Sequence, residues 1–325
     1  MPCFRARPLN NDTSKRGLDI NEPAKIPGGT REALGLLGFL VLSTAQVSNM
    51  ILARGVAGSV PPFSIAFFRW SIVAIGLSPL ISEALRRHPG LLRQEGFGIA
   101  AAGFLGMFVC GGPVYLAGTT TSAINLALIM AMSPVAVLLF SLVTGLESVN
   151  RWQIIGMTIA LAGAVLVITR GQASGARGLA AGDLLVLCAM LAWAGYTMMQ
   201  NRIGADVSFL ARIGMFAAVG ALFSLPFALR EMWASPSVVF SLKAAEVYLF
   251  AGLVPGLLAY SAYAFLGSAF GALSTSLSLY LGPVIGAVLS IIFLGEAPSM
   301  VHFIGGALSL GGMWLSLQTK PRAPR

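Results

Sequence analysis

Ser43, Gln46 and Asn49 stand three residues apart in an otherwise apolar run, so on a helix their hydroxyl and two amides share one flank. Amides turned toward hydrocarbon are costly, which predicts that this flank faces protein or water. Trp193, Tyr196 and Gln200 form a similar stripe, while Tyr260 with Tyr263, Ser274 with Ser278 and Tyr280, and Ser122 with Asn125 add rings, hydroxyls and another amide. Such groups break no bonds. They hold a small zwitterion by hydrogen bonds and stack on a ring or an apolar side chain. The expected substrate-binding set is Gln46, Asn49, Asn125, Trp193, Tyr196, Tyr260, Tyr263, Ser274 and Tyr280.

Signals for reactive chemistry are absent from the sequence. Cys3, Cys110 and Cys188 are scattered, and His88 and His302 stand alone beside expected membrane boundaries, so neither a disulfide framework nor a metal site is legible. No G-x-x-x-x-G-K-[ST] run occurs to cradle a nucleotide phosphate, and no nucleophile has a base in reach. No enzyme activity and no cofactor are expected. Glu83, Glu95, Glu147, Asp183, Asp206, Glu246 and Glu296 all fall near the ends of apolar runs. A proton-coupled carrier commonly keeps a carboxylate at depth, so facilitated diffusion is the expectation. Arg69 falls about 10 Å of helix inside a run. Its open roles are a substrate carboxylate, a helix C-terminus or a path outward to water, and the lack of an arginine at the matching position of the second half favours structure.

The elements that must position these groups follow from composition. The 325 residues are 56% hydrophobic and 10% charged, against about 25% charged for a soluble domain. Apolar runs long enough to cross a hydrocarbon core of ~30 Å span 33–53, 62–82, 97–117, 122–144, 152–169, 180–200, 208–229, 245–267, 271–294 and 301–318. Residues 1–32 and 319–325 read as polar tails, the first without signal-peptide character. Lys and Arg divide 14 to 5 between the two sets of alternating loops, which predicts cytoplasmic termini in the cell (inner) membrane. The net charge of +9 is thus an orientation signal rather than a nucleic-acid footprint.

Shifting the sequence by 149 residues aligns it with itself: 118–167 gives 12 identities in 50 positions, among them Pro134 with Pro283, Glu147 with Glu296, and Gly163 with Gly312. A repeat of five spans is odd, so its second copy must enter the membrane from the opposite side. The expected fold class is an all-α polytopic membrane protein of ten transmembrane helices in a 5+5 inverted-topology repeat, with halves 33–169 and 180–318. Such halves can open a midplane site alternately to either side. Pro134 and Pro283, the short hairpins 118–121 and 268–270, Gly111-Gly112-Pro113 and Pro255-Gly256 are the expected gates and hinges. Small residues in 156–163 and 305–312 suit close helix packing, and one chain holding both halves is expected to work as a monomer in the bilayer.

Leu146-Glu147, Trp152-Gln153-Ile154-Ile155-Gly156, Gly163, Pro283, Gly295-Glu296, Ile304-Gly305-Gly306, Gly312 and Phe67-Phe68-Arg69 resemble the EamA branch of the drug/metabolite transporter superfamily. The resemblance covers nearly everything after residue 32. It implies a secondary carrier exporting small metabolites, and the polar-plus-aromatic set tilts the expectation to aromatic or other bulky neutral amino acids. A drug or toxic-compound exporter of the same superfamily and a passive channel are the alternatives.

Overall fold

The computed structural model describes residues 28–130, 132, 133, 135, 136, 140, 151–168, 180–200, 203, 207–270, 278–296 and 298–317. Within hydrocarbon a backbone must satisfy its own N–H and C=O groups, and the regular structure among these residues is helical throughout. Among the described residues five helical stretches are long and apolar enough to cross a membrane, and a bent pair makes a sixth. That pair is α2 (Pro62–Gly76) and α3 (Ser78–Arg87), meeting at 58°. Span two therefore stops at Gly76 rather than residue 82. Pro79 lacks an N–H, so the Ile75 carbonyl takes its hydrogen bond from Ser78 Oγ instead, at 2.7 Å. The amphipathic α3 then turns aside.

The first half opens with α1 (Gly28–Gly55) and continues after α3 with α4 (Leu91–Gly103), α5 (Gly112–Ala117), α6 (Ala123–Met130) and α7 (Arg151–Ile168). The second holds α8 (Ala181–Gln200), α9 (Phe209–Ala234), the short α10 (Pro236–Val239), α11 (Leu242–Gly252), α12 (Ala259–Phe270), α13 (Ser278–Leu294) and α14 (Met300–Leu317). Residues 268–270, expected as a hairpin, are the last turn of α12, because Ala269 and Phe270 carry no stop signal. α1 packs on α13, α2 on α9, and α7 on α14.

Local geometry repeats at the same offset as the sequence. Between α4 and α5 the chain widens into a π-helical turn, Phe104–Val109, and between α11 and α12 it does so again at Leu253–Leu258, 149 residues on. The seam between α7 and α14 repeats likewise. A Cβ on Gly163 would stand 2.5 Å from the Gly305 carbonyl oxygen, and one on Gly312 would stand 2.4 Å from that of Gly156. Each contact is the other's counterpart. Only glycine lets these backbones approach so closely.

Carboxylates stitch one end of the bundle. Glu231, which the sequence reading passed over, accepts hydrogen bonds from the backbone N–H of Phe63 at 3.1 Å and of Ser64 at 2.6 Å, capping the N-terminus of α2. At the end of α13, Gly295 adopts φ +64°, and Glu296 N–H bonds back to Ser290. This left-handed stop turns Glu296 onto another helix. Its carboxylate accepts from Ala123 N–H at 3.1 Å and Ile124 N–H at 3.4 Å, and pairs with Arg54 at 3.4 Å. Glu296 precedes α14 in the chain, yet the helix it caps is α6. Arg54 also donates to the Gly118 carbonyl at 3.0 Å, tying α1 to the 118–121 hairpin.

Overpacking the seam should cost about 1–3 kcal/mol. Thermal unfolding in detergent should therefore fall for Gly163→Val and Gly312→Val but not for Gly311→Val, whose Cβ would meet nothing within 4 Å. Equal behaviour of Gly311→Val and Gly312→Val would remove the seam from the argument. Glu231→Ala and Glu296→Ala should each lose a helix cap at about 0.5–2 kcal/mol, measured against Glu246→Ala at an exposed position, where little change is expected.

Candidate functional site

A cavity of about 140 Å³ lies among α1, α2, α6, α8, α12, α13 and both π turns. Ser43, Gln46 and Asn49 line it from α1, so their shared flank does face the interior. Trp193 from α8 and Tyr260 from α12 supply rings. Part of the remaining wall obeys the repeat. Gly106 and Pro255, Cys110 and Ala259, and Ser133 and Gly282 all line the cavity, and each pair stands 149 residues apart. Equivalent residues of two repeats meet at one space only where the axis relating the repeats passes.

Arg69 is the charged group of this wall. It is 5% exposed, and its three hydrogen bonds go to neutral oxygens. Nη1 donates to Asn49 Oδ1 at 2.7 Å and to the Tyr115 hydroxyl at 3.1 Å, and Nη2 donates to the Pro255 carbonyl at 3.1 Å. Tyr115 in turn donates to Asn49 Oδ1 at 2.7 Å. The guanidinium carbon sits 4.3 Å from the Trp70 ring centroid. Trp70 itself donates from Nε1 to the Met107 carbonyl at 2.7 Å. Two adjacent residues of α2 thus hold the two π turns, Trp70 the first and Arg69 the second. Each neutralises a carbonyl in a stretch where helical pairing is disturbed.

Several expected site residues lie elsewhere. Asn125 stands one turn into α6, at the stitched end of the bundle. Its Nδ2 donates to Asp183 Oδ1 at 3.3 Å, and its Oδ1 meets His302 Nε2 at 3.1 Å. Because Ser299 N–H donates to His302 Nδ1 at 2.9 Å, the proton resides on Nε2 and points to the amide. Asp183 is fully buried and also accepts from Thr121 Oγ1 and Ala180 N–H. His302 is therefore no isolated interfacial group, and Asp183, though near a helix end, is no solvated one.

Tyr196 is buried behind the cavity wall, its ring against Gly106 and T-shaped on Phe216 at 5.8 Å. Tyr263 stacks on Phe209 at 5.5 Å, away from the lining. A stripe at helical spacing covers more than the width of one small cavity, and these two rings fall on its flanks. Ser274 and Pro134 lie outside the described residues. Tyr280 and Pro283 are on α13, which runs continuously past both.

Of the expected hinges, Pro255 lies within the second π turn. Gly111 follows the first, ahead of α5, and Gly112 and Pro113 open α5 itself, where a missing proline N–H costs nothing. The break in span three thus begins at Phe104, earlier than those residues suggest. Trp70, Cys110, Met130 and Ser133 line the cavity without having been singled out. For Cys110 and Ser133 the signal was available: the 149-residue register sets them opposite Ala259 and Gly282.

Among the described residues no cluster of three His, Cys, Asp or Glu side chains is placed to hold a metal. The lining offers amides, hydroxyls, rings and one guanidinium, groups suited to reversible binding. Comparison with known proteins agrees with that reading at the level of family. An uncharacterized transporter, YetK, from Bacillus subtilis is 24% identical over 293 residues, 89% of each chain. One from Archaeoglobus fulgidus is 25% identical over 259 residues, 78% of this chain and 87% of its own. A protein crystal structure superposes with a TM-score of 0.57 at 24% identity, over 89% of this chain and 97% of that one, which speaks for the fold alone. The profile of the EamA-like transporter family matches twice, over residues 33–169 and 180–318, and the chain belongs to that family of membrane transporters.

Proposed function

We propose that the protein is a secondary carrier that exports small metabolites by alternating access, with aromatic and other bulky neutral amino acids as the substrates to test first. The observation that carries this reading is the cavity on the axis between the repeats, walled by equivalent residues of both and bordered by a π turn from each. Two related states in which the repeats exchange shapes would present one site to opposite sides. The π turns supply the place to bend, since a widened turn has already given up regular pairing.

With both termini in the cytoplasm, the end stitched by Glu231, Glu296 and Asp183 faces outward, and its hydrogen bonds are what an outward opening must release. Gln46 and Ser43 provide hydrogen bonds for a polar substrate, and Trp193 and Tyr260 provide ring faces. A cationic-drug exporter fits less well, because the charged group in the lining is Arg69. A passive channel would want a continuous polar path, whereas the polar groups here gather on a few helices around one small cavity.

Counterflow in liposomes loaded with single amino acids should be saturable and should run on a substrate gradient alone. Gln46→Ala, Trp193→Ala and Tyr260→Ala should each raise the half-saturating concentration several-fold. Flux that never saturates would favour the channel, and an absolute dependence on an imposed pH gradient would remove facilitated carriage.

A further inference from the structure

We infer that Arg69 is the anion-recognising group of the cavity: it takes the carboxylate of the transported molecule, so the substrates are small carboxylic acids, and amino acids enter by virtue of that group. The inference rests on the carrier reading and narrows it from a size of side chain to a chemical handle. It begins from a charge that the protein leaves uncompensated. Among the described residues the ion pairs are Arg54 with Glu296 and Arg87 with Glu83, and no carboxylate joins Arg69. The guanidinium is nevertheless 95% buried at a cavity surface in the middle of the bundle.

Asn49 Oδ1, the Tyr115 hydroxyl and the Pro255 carbonyl are neutral, and a neutral donor could hold them without the desolvation penalty of a charge. The tethering role therefore accounts for the hydrogen bonds and not for the cation. The Trp70 face at 4.3 Å offsets part of the penalty but offers no counter-charge.

Donor counting points the same way. A guanidinium has five N–H donors. Both on Nη1 and one on Nη2 are used, and Nε is buried with no hydrogen-bond partner. One donor on Nε and one on Nη2 remain. Those two nitrogens form the edge of the fork that a carboxylate grips through both oxygens. An incoming carboxylate would share Nη2 with the Pro255 carbonyl, which places the occupied site beside the second π turn.

Two further facts bear on the ligand. The position 149 residues beyond Arg69 is Ala218, so the lining carries a single cation, matched to a single carboxylate. The cavity, at about 140 Å³, is close to the size that admits a benzene ring. Among the described residues its lining holds no acid for an ammonium group. A deaminated acid should therefore bind at least as well as the amino acid.

The test is the thermal shift of the purified full-length chain in detergent with 3-phenylpropionate, benzoate and phenylalanine against phenethylamine, benzylamine and phenylalanine methyl ester. The acids should stabilise it, and the amines and the ester should not. Arg69→Gln should lose the effect at least ten-fold in half-saturating concentration. Because Arg69→Gln also frees Pro255 and Asn49, Asn49→Asp is the second variant: its carboxylate accepts the same hydrogen bonds and neutralises the guanidinium internally. It should fold and lose the preference for acids.

Equal stabilisation by acids and amines, no stabilisation by any acid, or an Asn49→Asp protein that still prefers acids would each overturn the inference. Counterflow of an amine would then leave the carrier reading standing. Acids that bind but undergo no counterflow would instead strike the carrier reading and leave the anion site intact.

Discussion

Hydrocarbon offers no partner to a polar group, and the way this chain meets that demand organises the rest of its structure. Helix N-termini leave backbone N–H groups unpaired, and at one end of the bundle those of α2 and α6 are met by carboxylates from distant parts of the chain, Glu231 and Glu296. The acids are therefore more than surface charge. Each one fixes the end of one helix against another, and Arg54 and Asp183 extend the stitching to α1, α6 and α8.

At mid-depth the same demand has a different solution. The two π turns disturb the hydrogen-bond ladder at equivalent places, and adjacent side chains of α2 attend to both, Trp70 at Met107 and Arg69 at Pro255. One helix of the first repeat thus keeps watch over the bending points of both repeats. An indole does its share without charge. Arginine brings a cation with it, and the asymmetry of the cavity begins there.

Much of the architecture was legible because it follows from periodicity and pattern. The 149-residue register, read from Pro134 with Pro283 and Gly163 with Gly312, recurs in the π turns, the glycine seam and the paired residues of the cavity wall. The flank of Ser43, Gln46 and Asn49 was legible for the same reason. Long-range partnerships were not. Nothing local to Glu231 or Glu296 says that they cap α2 and α6, and nothing local to Asn125 says that Asp183 and His302 hold both ends of its amide. Arg69 read as structural because its symmetry mate is missing, although a missing mate is equally what a single charged ligand requires.

The glycine seam also has a consequence for how the protein is made. α7 closes the first repeat, yet its close partner is α14, the last helix of the second, and neither Gly163 nor Gly312 meets its neighbour until both are in the bilayer. During synthesis α7 must wait, with its notched face turned to lipid, for as long as the ribosome takes to produce the whole second repeat. Docking of α14 then closes that face. The seam is completed only once α14 is made, and a chain cut short before it would leave α7 an orphan.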